Sequence, residues 1–121
     1  MSGIYTLSRG LAAFFGFTVL LSILWFASSL GGAFIIAGVL MGFSSLAVAF
    51  IPQRKLSNSA TRRTLVTLCV VGIGAGLVLV ADDLGASSGI EWDVVAIRLL
   101  HIAALGTMAV VASRRPSELT N

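Results

Sequence analysis

Arg98 and His101 stand three positions apart in "VVAIRLLHIAALG", Val94 to Gly106, where every other residue is apolar or small. An arginine keeps its charge under all ordinary conditions and carries five N–H donors, so in an apolar segment it asks for an acid. An imidazole can hold a metal or haem, or relay a proton. Residues three or four apart share one face of a helix, and Val94, Arg98, His101, Leu105 and Ala109 therefore form one stripe. Four of the five acids, Asp82, Asp83, Glu91 and Asp93, lie just upstream.

These residues permit three kinds of chemistry. The first is a structural ion pair, with Asp83 the expected partner of Arg98 and Asp82 or Asp93 the alternatives. A charged arginine at mid-membrane costs at least ~2.5–3.5 kcal/mol, so Arg98 is expected to point inward and meet a carboxylate. In this reading His101 is a packing residue that bonds to a backbone carbonyl or a hydroxyl. The second is ligation: His101 is the one candidate for a cofactor-binding residue, but a bis-histidine haem needs two, and the chain has a single histidine. No cofactor and no metal are expected. The third is a proton or anion path through Arg98, His101 and the acidic loop.

The elements that must position these groups follow from composition. Of 121 residues, 57% are hydrophobic and 11% charged, where a soluble domain has about 25% charged. The missing charge points to lipid as the solvent. Four apolar runs, about 11–30, 33–51, 64–81 and 94–112, are each close to the ~20 residues a helix needs to cross a bilayer. None alternates polar with apolar, as a spanning strand would. The first run exceeds the 7–15 residues of a signal-peptide core and is read as a span. The expected fold is an all-α membrane protein: a single domain, 1–121, of four transmembrane helices arranged as two antiparallel hairpins.

Charge sets the expected orientation. The loop between the second and third runs carries Arg54, Lys55, Arg62 and Arg63 without an acid, and Arg9, Arg114 and Arg115 join them on that side. Seven of the eight basic residues thus share one side, and the positive-inside rule puts both termini and this loop in the cytoplasm. The same rule accounts for the basic loop without nucleic acid, which is not an expected partner. Trp25 and Trp92 fall near the opposite boundary, where indole rings prefer to sit. Cys69 is the one cysteine, so no disulfide forms within the chain.

Small residues mark where helices can approach in lipid. Gly38 and Gly42, with Ser45 and Ala49, line one stripe of the second span, and Cys69, Gly72 and Gly76 line one stripe of the third. Both contain Gly-x-x-x-Gly, read here as packing within the chain, with homodimerisation as the alternative.

Function follows by exclusion. No Ser-His-Asp or Cys-His arrangement is present, little chain lies outside the membrane, and an enzyme is not expected. In length and helix number the chain resembles the small multidrug-resistance transporters, but those rely on a glutamate within the first span, and this span has none. The expected role is an accessory or structural subunit of a larger membrane assembly, a respiratory or envelope complex or a virion membrane. Its partners would be lipids and other integral membrane subunits, or copies of itself. A small oligomeric channel or transporter is the second reading, and a haem-associated redox subunit the third.

Overall fold

Without water to satisfy them, backbone N–H and C=O groups in these apolar runs must bond within their own segment, which makes each run a helix. The computed structural model describes residues 2–26, 32–85, 89 and 91–113. Its elements are α1 (Ser2–Phe26), α2 (Gly32–Ala49), a short 3₁₀ turn (Gln53–Ser57), α3 (Ser59–Leu84) and α4 (Trp92–Ala112). All four α-helices are long and apolar enough to cross a membrane. Residues 27–31, which include the end of the expected 11–30 span, residues 86–88 and 90 of the acidic loop, and Arg114 and Arg115 lie outside the described residues.

The helix limits depart from the apolar runs, for local reasons. α1 begins at Ser2 and not at Leu11, so Arg9 lies within the helix and does not precede it. Tyr5 Oη donates to Ile51 O at 2.7 Å and Arg9 Nε to Ala49 O at 3.0 Å. Both bonds serve carbonyls just where α2 stops supplying partners of its own. α2 closes at Ala49, before Ile51, because Phe50 and Ile51 donate to Ala47 O and Val48 O in tightened turns that end at Pro52. α3 starts before Thr64, since the Asn58 side chain caps it by accepting from Ala60 N at 2.9 Å and Thr61 N at 3.4 Å. It continues past Ala81 to Leu84, which brings Asp82 and Asp83 into the helix. α4 starts at Trp92, just before Val94, with Asp93 in its first turn.

α1 packs against α2 and α4, and α3 packs against the same two helices. At the end that carries the basic loop, one buried cluster joins Tyr5, Val48, Leu56, Leu65, Leu105 and Met108. Towards the other end Ala37, Met41, Ala75 and Leu79 form a second cluster, flanked by Phe34 and Ile102.

The glycine stripes sit at helix contacts. A Cβ on Gly42 would lie 2.6 Å from Leu20 Cγ, and one on Gly38 would press on Ile23 Cδ1. Gly72 and Gly76 face α4 and α2, their Cβ positions 2.8 Å from Leu105 Cδ1 and 2.8 Å from Met41 Cε. Gly16, not singled out by its spacing, also sits where α1 meets α2: its Cβ would meet Ser45 Cβ at 2.8 Å and Gly42 O at 3.0 Å.

Candidate functional site

α4 enters the bundle with Arg98 and His101 on its inward stripe, and two neighbours receive them. Arg98 Nε donates to Asp83 Oδ2 at 2.8 Å, and the two side chains are 14% and 16% exposed. Asp83 occupies the last turn of α3, so the pair ties the start of α4 to the end of α3. Asp82 and Asp93 are exposed. The guanidinium also sits over the Phe34 ring of α2, 5.4 Å from its centroid. A cation over an aromatic face adds ~0.5–2 kcal/mol as it loses water.

His101 is 1% exposed. Its Nε2 lies 2.6 Å from Ser45 Oγ on α2. The hydroxyl's single proton goes to Met41 O at 2.7 Å, so Ser45 accepts and the imidazole donates. With both contacts made as hydrogen bonds, the proton is assigned to Nε2, which leaves Nδ1, in the neutral ring, as an acceptor. No described residue bonds Nδ1. The Phe15 ring of α1 lies against the imidazole at 5.5 Å, tilted by 34°.

Arg98, His101 and Asp83 share one cavity of about 440 Å³. Its walls come from all four helices: Phe15, Val19 and Ser22 of α1, Phe34 of α2, Asp83 of α3, and Val94 and Ile97 of α4 among them. The surface is mostly hydrocarbon with a few convergent polar groups, and the volume falls in the ~300–1,000 Å³ range of small-molecule sites. Thr18 and Ser22 also reach it, but each hydroxyl gives its proton back to its own helix, to Phe14 O and Thr18 O. Glu91, exposed, stands at the end nearest the acidic loop.

The basic residues gather at the other end. Arg54 and Lys55 are exposed on the 3₁₀ turn. Arg62 and Arg63, early in α3, line an open cleft of about 490 Å³ with Ser59, Thr67 and Ser113. Among the described residues no group of three histidine, cysteine or acidic side chains is placed to hold a metal ion.

Spacing alone pointed to Arg98, Asp83 and His101 but missed Ser45 as the histidine's partner, and missed Phe15 and Phe34 as walls. Ser45 carried a weak signal, a hydroxyl on the glycine stripe of α2. The two phenylalanines carried none, since seven of the 121 residues are phenylalanine. No family model matches the chain, and no curated protein and no solved structure matches it either.

Proposed function

We infer that this is an accessory subunit of a larger membrane assembly, inserted as two antiparallel hairpins with both termini in the cytoplasm. The observation that carries the reading is the outer face of α1. Gly3, Leu7, Gly10, Phe14, Phe17, Leu21 and Leu24 are all exposed, at alternating steps of four and three. That 3.5-residue repeat keeps one seam along the helix, drifting only ~20° per heptad, the pattern by which one helix packs on another. Gly3 and Gly10 have nothing within 4 Å of a built Cβ. Glycine within a helix costs ~1 kcal/mol relative to alanine, a cost that close approach of a neighbouring helix would offset.

The inward polar groups favour the same role. Arg98 and Asp83 neutralise each other, and His101 is spent partly on Ser45. This leaves little to drive ion-coupled transport, and catalysis plays no part in the reading. The cavity beside Arg98 is the one feature that favours the second reading, a small oligomeric transporter. Orientation rests on Arg9, Arg54, Lys55, Arg62 and Arg63, which gather away from Asp82, Asp83, Glu91 and Asp93.

The test is purification from its own membrane at native abundance, in mild detergent. Stoichiometric co-purification of defined integral membrane chains, lost when Gly10 is changed to Leu, is the expected result. A monodisperse particle of this chain alone that conducts ions in liposomes would overturn it.

A further inference from the structure

We propose that the cavity between α1 and α4 binds a lipid-soluble hydroquinone, with one phenolic hydroxyl at His101 Nδ1 and the other oxygen at Arg98. Three observations select this class. The imidazole needs a donor: with Ser45 assigned as the acceptor from Nε2, the ring's remaining nitrogen is a lone pair on a residue that lines the cavity. Arg98 needs an acceptor, because Nε is the guanidinium atom that meets Asp83 and no described residue takes a hydrogen bond from the other nitrogens. A ligand must therefore bring a hydroxyl proton to one point and an oxygen lone pair to another. The two residues stand three positions apart on α4 and line the same cavity, so one para oxygen of an aromatic ring is assigned to each.

Charge and shape narrow the choice. The Arg98–Asp83 pair has no net charge and Glu91 at the mouth is negative, so a carboxylate or phosphate head would be repelled. Phe15 and Phe34 offer ring faces, and Val19, Val94 and Ile97 offer aliphatic wall, to a flat aromatic head. Thr18, Ser22 and Ile97 are exposed where α1 and α4 part, so an alkyl tail can leave through that gap into the bilayer. The proposal concerns binding only, and it stands apart from the accessory role, since every lining residue belongs to this chain.

The purified full-length chain in detergent can be titrated anaerobically with a decyl-substituted benzohydroquinone, its di-O-methyl ether, the oxidised quinone and decanoic acid. Binding is read as a concentration-dependent rise in thermal midpoint. The hydroquinone is expected to bind at least about tenfold more tightly than the ether or the quinone, which cannot donate to Nδ1. Ser22→Phe and Ile97→Trp, which narrow the cavity without touching Arg98 or His101, should remove the rise. His101→Phe should erase the preference for hydroquinone over quinone. Equal binding of ether, quinone or decanoic acid would overturn the proposal. So would no rise with the hydroquinone, or a rise that survives in both narrowed variants that retain the parent's cooperative unfolding.

Discussion

Removing either member of the Arg98–Asp83 pair tests whether the contact holds the bundle together. Taking one partner from a buried pair costs ~3–5 kcal/mol, and from an exposed pair ~0–1 kcal/mol. With side chains 14% and 16% exposed, this pair lies near the buried limit, and about 3 kcal/mol is expected for Arg98→Ala. Asp83→Ala should cost about 1 kcal/mol less, because the guanidinium keeps its place over Phe34. At about 4 °C per kcal/mol, a value between those of smaller and larger domains, the midpoints in detergent should fall by roughly 12 °C and 8 °C. Once one partner is gone the other is a liability, so the double variant should fall by about 12 °C and not by the sum of about 20 °C. Thermal unfolding of the four proteins, followed by circular dichroism in one detergent, measures the coupling. Losses that add, or single variants that unfold with the parent, would refute an energetic role for the contact.

Other consequences are as direct. Gly16→Ala should destabilise by about 1–3 kcal/mol, since its methyl would press on Gly42 O and Ser45 Cβ. Gly10→Ala, with open space around it, should leave the isolated chain unchanged or gain up to about 1 kcal/mol in helix propensity. Thermal scans of both variants decide this, and equal losses would contradict the packing. Ser45→Ala should cost about 1–3 kcal/mol by stranding the buried Nε2–H of His101; a cost of zero in urea or thermal unfolding would mean the bond is not formed. For orientation, a cysteine at Ser57 should resist an impermeant thiol reagent in intact cells and one at Asp93 should react, with Cys69 protected by burial. The reverse pattern would invert the proposed sidedness.

Sequence by itself determined which stretches become membrane-length helices and which face of each helix is special. Run length against bilayer thickness decides the first, and the 100° step between helical residues decides the second. That arithmetic is enough to put Arg98 and His101 on one stripe, to nominate Asp83, and to align Gly38 with Gly42 and Gly72 with Gly76. It cannot say which neighbour a stripe meets. Periodicity fixes an angle about a residue's own axis, whereas contact depends on the height and rotation of a second helix. Only the tertiary structure placed Ser45 against His101, Gly16 against Gly42 and Phe34 under Arg98, each across more than 20 positions of chain. The start of α1 was illegible for the same reason, because Tyr5 and Arg9 extend the helix by bonding carbonyls at the far end of α2. The cavity is the extreme case. It is a gap between side chains of four helices, and its size follows from how those helices lean on one another, a quantity no single segment encodes.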